Sequence, residues 1–161
     1  MSDALEICDY KDENEAQLIQ LIRELQGYES GYYDRMIPPE EIAGWYVDGI
    51  KKDCRDYAGH IRFAGLGGRP VGYCAVMTRV PNEEADEQHY DYAYVSEIVI
   101  AKSARGQGIG KALLHDAETL ARAVDARWLR IGVLAKNTVA RELYGRFGFE
   151  EHVVTMEKPL T

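Results

Sequence analysis

The stretch Ile98–Leu114, IVIAKSARGQGIGKALL, has the clearest chemical signature in the chain. An apolar run ends there, glycine stands at every second position from Gly106 to Gly110, and an amphipathic helical pattern begins. Glycine lets backbone N–H groups approach an anion with no Cβ in the way, and a helix N-terminus adds partial positive charge. Lys102, Arg105 and Lys111 fall within residues 101–111, with no acid among them. The combination suits a phosphate or pyrophosphate. Two nucleotide motifs fail on this stretch. A GxxxxGK[ST] loop anchored on Gly110-Lys111 would begin at Arg105 and end at Ala112. A GxGxxG fingerprint begun at Gly106 ends on Lys111, and one begun at Gly108 ends on Leu113.

The pattern that does match is Arg/Gln-x-x-Gly-x-Gly/Ala, present as Arg105-Gly106-Gln107-Gly108-Ile109-Gly110. A second pattern follows, Asn137-x-x-Ala140-x-x-Leu143-Tyr144-x-x-Phe147-Gly148-Phe149, led by Gly132-Val133-Leu134-Ala135-Lys136. With both, the chain resembles the GNAT acetyltransferase superfamily, strongly over Ala93–Met156 and in element order alone before that. The resemblance implies an α/β fold of the GNAT acyl-CoA acyltransferase type, a mixed central sheet flanked by helices. It implies acetyl-CoA as cosubstrate, no metal, and transfer of the acetyl group to a primary amine. It also implies roles. The backbone of Ile98, Val99 and Ile100 pairs with the pantetheine arm like an added strand, in a cleft where the fourth and fifth strands splay. The amides of Gly106, Gln107, Gly108, Ile109 and Gly110, with Arg105 and Lys111 as cations, hold the pyrophosphate. Asn137 hydrogen-bonds the pantetheine amides, Ala140 belongs to the same cofactor-binding set, and Tyr144 points its hydroxyl at the thioester sulfur. Tyr144 also fits a core aromatic on the inner helix face beside Leu143 and Phe147.

The implied chemistry is attack of a neutral amine on the thioester through a tetrahedral intermediate. An alkylamine of pKa about 10.4 is protonated at neutral pH, and freeing its lone pair costs about 4.6 kcal/mol. Glu97 is the candidate base because it interrupts an otherwise apolar strand. An ordinary carboxylate lies about 6 units below the amine, so a water relay or an amine desolvated on entry is the better route. The other reading of Glu97 is a strand residue facing solvent. Tyr144 as acid faces a smaller mismatch, about 2 kcal/mol between a phenol and a thiolate. A backbone N–H near Ile98 or Val99 can serve the oxyanion.

Acceptor selection is expected from the N-terminal half. Residues 1–92 carry 9 basic and 19 acidic side chains, and residues 93–161 carry 10 and 8, within a net charge of −8. Tyr28, Glu29, Tyr32 and Tyr33 in the predicted loop Gly27–Pro39, with the acidic loop Pro81–Asp91, suit a small cationic amine through charge steering and cation–π contact. A polyamine, an aminoglycoside or an amino-acid-like amine fits, and so does a solvated loop kept acidic for solubility. Two alternatives stay open: a protein or peptide Nα-acetyltransferase, and a non-catalytic CoA-binding interaction module.

These residues need elements to position them. Periodicity predicts strands over Ala4–Tyr10, Ile61–Leu66, Val71–Val80, Tyr92–Ala101, Trp128–Leu134 and Phe149–Met156. It predicts helices over Glu13–Gln26, Glu40–Asp56, Gly108–Val124 and Asn137–Phe147, giving the order β-α-α-β-β-β-α-β-α-β. With 161 residues, no repeats and no linker, the expectation is one domain over 1–161, an acceptor-side half (1–92) and a CoA-binding half (93–161). The acidic balance argues against a nucleic-acid partner, and no stretch approaches 18 apolar residues, which argues against a membrane span. Cys8, Cys54 and Cys74 are widely spaced and fit small buried hydrophobes in a reducing cytoplasm, with neither a disulfide framework nor a zinc site. His60 and His89 stand alone in sequence and read as surface or structural residues. A homodimer is an expectation from the resemblance alone.

Overall fold

Alternating side chains make Leu5–Asp9 a strand (β1), and apolar residues at helical spacing make Glu15–Glu29 (α1) and Gly44–Asp56 (α2) amphipathic helices. Gly59–Leu66 (β2) and Arg69–Pro81 (β3) form a hairpin across Gly67-Gly68, where both glycines take positive φ. Asp91–Ile100 (β4), Ile109–Ala123 (α3), Leu129–Ile131 (β5) and Thr138–Phe147 (α4) complete the chain. The structure, a computed structural model, describes residues 4–161. The strands lie in the order β1-β2-β3-β4-β5, antiparallel up to β4 and parallel between β4 and β5, the mixed sheet expected.

Helices cover both faces of the sheet. On one side α1 and α2 bury Leu18, Ile22 and Val47 against Phe63 and Tyr73. On the other, α3 buries Ile109 and Leu113 against Val76 and Val95. One irregularity in β4 matters for function. Ala75 pairs with Glu97 and Val76 with Val95, so Ser96 is an extra residue, a β-bulge. Without the bulge Val95 and Glu97 would share a face. With it, Val95 stays in the α3-side core while Glu97 turns to the α1–α2 side, where Tyr73 lies. The parallel ladder to β5 runs from Ala93–Leu129 to Val95–Ile131 and stops at the same bulge.

Four expectations need correcting. Phe149–Met156 is not a strand, so the observed order lacks the final β. A strand needs a partner, and among the described residues nothing pairs with the outer edge of the three-residue β5. The segment instead follows the surface, tied by Arg141 to Glu151 and by Arg35 to Glu157 at 2.6 Å. Strand β5 itself is shorter than Trp128–Leu134 because its partner bulges away. Helix α1 runs past Gly27 to Glu29, so Tyr28 and Glu29 are helical and not in a loop. A glycine inside a helix costs about 1 kcal/mol, and tertiary contacts offset it here. Buried Gln26 donates to the Ile37 carbonyl at 2.8 Å, and Ser30 Oγ to the Gln26 carbonyl at 2.7 Å. Among the cysteines only Cys74 is buried; Cys54 is half-buried and Cys8 exposed.

Among the described residues no helix is long and apolar enough to cross a membrane, and no cluster of His, Cys, Asp and Glu could hold a metal.

Candidate active site

The glycine loop leaves open space beside a left-handed backbone, a cradle of the shape an anion needs. Gly106 and Gly108 take φ of 77° and 78°, and a Cβ added to either meets nothing within 4 Å. The left-handed backbone asks for glycine, and the space beside it stays free for a ligand. Gly108 precedes the first residue of α3, and the amides of the first helical turn have no intrahelical acceptor. Gly110 serves packing: a Cβ there would lie 3.2 Å from Ile100 and 3.3 Å from Leu143. Gln107 and Lys111 are exposed beside the cradle, and Ile109 points into the α3-side core. Arg105 Nε donates to the Ile100 carbonyl at 3.2 Å, and its guanidinium lies 4.9 Å from the centre of the Tyr28 ring. The loop fits a pyrophosphate by conformation, open space and charge together.

From this cradle β4 leads inward. Beyond Val95 the edge of β4 away from β3 has no strand partner among the described residues, so Ser96–Ile100 lie along an opening between β4 and β5. A cavity of about 170 Å³ sits at that opening. Glu29 and Tyr46 line it from the helical side, Ser96, Glu97 and Ile98 from the sheet, and Tyr144 from α4.

Glu97 is half-buried and accepts hydrogen bonds from the Tyr46 and Tyr73 hydroxyls. Burial pushes its carboxyl above the usual carboxylate range, outweighing the two phenol bonds that favour the anion. Glu29 is raised as well, by burial first and then by the charge of Glu97. Burial also lifts Tyr46, Tyr73 and Tyr144 above the usual phenol range, so all three are neutral donors at physiological pH. Tyr144 is the one buried residue of α4, while Leu143 and Phe147, expected as the inner stripe, are half-buried. Tyr144 lines the cavity together with Glu29 and Glu97.

Asn137 is buried and caps α4, its Oδ1 accepting from Ala140 N at 3.2 Å and from Tyr28 OH at 3.5 Å. That leaves Nδ2 to donate to a ligand. Of the predicted acceptor residues, Glu29 alone reaches the cavity. Tyr28 spans from the helical half to Asn137 and Arg105, and Tyr32 bonds Tyr28 at 3.1 Å between hydroxyls. Tyr33 lies beneath Arg35, 4.4 Å from its guanidinium, away from the cavity.

Sequence reasoning missed Tyr46, Tyr73 and Ser96. Tyr73 carried a signal, a polar tip in the apolar run Val71–Val80 on the face of Ala75 and Met77. Tyr46 and the bulge at Ser96 carried none, since both depend on how distant segments meet.

A family model described as acetyltransferase (GNAT) matches residues 18–149. An uncharacterized N-acetyltransferase of Methanocaldococcus jannaschii is 30% identical over 148 residues, a match that takes in 89% of this chain and 59% of that protein. A tetramutant of a Bacillus halodurans protein superposes with a TM-score of 0.84 at 16% identity, covering 96% of this chain and 99% of the other. An aminoglycoside N-acetyltransferase in complex with CoA superposes with a TM-score of 0.69 at 15% identity, covering 96% and 99%. At those identities the two structures speak for the fold. With most of its length matched by the family model, the chain belongs to the GNAT acetyltransferase family.

Proposed function

We propose that this chain is an acetyl-CoA-dependent N-acetyltransferase acting on a small cationic amine. The observation that carries this reading is the convergence of Glu97, Glu29 and Tyr144 on one cavity at the β4–β5 opening, in line with the glycine cradle. The pyrophosphate lies on the amides of residues 106–110 with Arg105 and Lys111 beside it, and the pantetheine arm follows the open edge of Ile98–Ile100. Asn137 Nδ2 donates to a pantetheine carbonyl, next to Ala140. Residues 93–161 thus hold CoA and residues 1–92 receive the amine, within one domain.

The amine enters as an ammonium drawn by two carboxylates in one half-buried cavity. Glu97 takes its proton, directly or through one water. A raised carboxyl narrows the gap to the amine and supports that role. The freed nitrogen pair bonds the acetyl carbon, and the carbonyl pair moves to oxygen, facing a backbone N–H near Ile98 or Val99. Collapse breaks the C–S bond, and the surplus proton left on nitrogen passes through water to the departing thiolate. Tyr144 steadies that sulfur with its hydroxyl hydrogen bond, and protonated Glu97 returns its own proton to solvent. Burial keeps that phenol protonated, which supports a donor role over full proton transfer. The products are an acetamide and CoA.

Three free cysteines fit work in the reducing cytoplasm. The fold likeness to a CoA-bound aminoglycoside N-acetyltransferase is in keeping with a small-molecule acceptor. A screen of acetyl-CoA consumption with a free-thiol readout, over polyamines, aminoglycosides, amino acids and peptides with free N-termini, tests the reading. Turnover is expected with small cationic amines. Turnover with peptides alone favours an Nα-acetyltransferase, and CoA binding without turnover favours a non-catalytic module.

A further inference from the structure

A second cavity, of about 770 Å³, lies on the α1–α2 side of the sheet toward the N-terminal end of β4. Ser96 lines both this cavity and the one that holds Glu97, so the two meet at the bulge in β4. The order along β4 is then glycine cradle, open edge, Glu97, Ser96, outer cavity. A thioester laid along Ile98–Ile100 fills the opening from the cradle side and leaves the outer cavity as the approach for the other substrate.

The two cavities differ in size and lining. The inner one admits a slender group, on the order of a few methylenes and an amine, since a water-sized unit takes about 30 Å³. The outer one is several times larger, with tyrosine faces from Tyr57, Tyr92 and Tyr94. Its carboxylates come from two separate elements, Asp53 of α2 and Glu83, Glu84 and Glu87 of the β3–β4 connection. Glu87 is held in place by Asn82 Nδ2 at 2.9 Å and Tyr90 OH at 3.0 Å. The opposing charge in the wall is Arg130, whose guanidinium lies 4.0 Å from the centre of the Tyr92 ring and donates to Tyr90 OH at 2.7 Å. His152 completes the rim.

We propose that the outer cavity is the subsite for the distal ammonium of a linear di- or polyamine, whose other amine passes Ser96 to reach Glu97. The inference rests on the acetyltransferase reading and adds the substrate class. A narrow inner chamber selects an unbranched alkylamine. A wide, acidic, tyrosine-walled outer chamber selects a second positive charge several carbons away. Each exposed ammonium–carboxylate pair contributes about two- to fivefold, so the several acids here give an advantage of about tenfold to a diamine over a monoamine.

The test compares kcat/KM for hexylamine, 1,6-diaminohexane and a short lysine-containing peptide, using the full chain and a free-thiol readout. The expected result is a diamine preference of about tenfold that shrinks with added salt. In the Glu83→Gln/Glu84→Gln double variant the preference narrows toward one through KM, with kcat for the diamine retained. A diamine no better than the monoamine overturns the proposal and leaves the acetyltransferase reading standing. So does a preference that the double variant does not move, or a peptide used better than the diamine. Absence of thiol release with every amine overturns the acetyltransferase reading, and the proposal with it.

Discussion

Replacing Glu97 by Gln tests the core of the mechanism, because it removes a proton acceptor and little else. Glutamine has the same shape, and its amide offers one acceptor and one donor to the two tyrosine hydroxyls that now meet the carboxylate. Tyr73 is fully buried and its hydroxyl can turn to accept, so neither tyrosine is stranded. Loss of a positioned base lowers the rate by about a hundredfold or more. Single-turnover thiol release, from about pH 5 to about pH 9, isolates the chemical step. The native rate falls on the acid side as Glu97 takes a proton, at a pH above that of an ordinary glutamate because its carboxyl is raised. The variant lacks that limb.

Stability moves the other way. A raised folded-state pKa contributes stability below the unfolded value of about 4.3, and that contribution is lost as pH rises through the folded value. The melting temperature of Glu97→Gln therefore gains on the native protein as pH rises from about 4. A variant within about threefold of the native rate that keeps the acid limb would refute Glu97 as the base.

Tyr144→Phe is expected to lower single-turnover acetyl transfer by about ten- to a hundredfold, the worth of one hydrogen bond to a charged sulfur. CoA affinity, measured by titration calorimetry, stays near the native value, and an unchanged chemical rate removes Tyr144 from the mechanism. Gly108→Val places a β-branched residue at φ 78°, at a cost of about 1–2 kcal/mol, with a Cβ standing in the space assigned to the pyrophosphate. CoA affinity should fall more steeply than the melting temperature, and native affinity would refute the cradle.

Much of the glycine loop and of α4 was legible because both are local. Cradle conformation follows from glycine at alternate positions, and helix α3 follows from the apolar repeat directly after it. Asn137 and Tyr144 lie within two turns of one helix, where spacing alone fixes relative direction. Helices, hairpin and mixed sheet were likewise within reach of periodicity, since each element buries one face. Phe149–Met156 shows the limit: its residue types allow a strand, but whether one forms depends on an open edge elsewhere.

The environment of Glu97 was beyond such reasoning. An extra residue in β4 has no compositional mark, yet it decides which face Glu97 occupies and where β5 lets go. Tyr46 from α2 and Tyr73 from β3 reach the same carboxylate from 51 and 24 residues away. The end of α1 shows the same dependence, since Gly27 reads as a helix stop until Ile37 accepts from Gln26. Residue types and short spacings therefore told of an anion cradle and a helix that carries a tyrosine. Burial, register and the meeting of remote segments raised the Glu97 and Glu29 carboxyls and brought both to one cavity, because desolvation and charge coupling depend on distance in space and not along the chain.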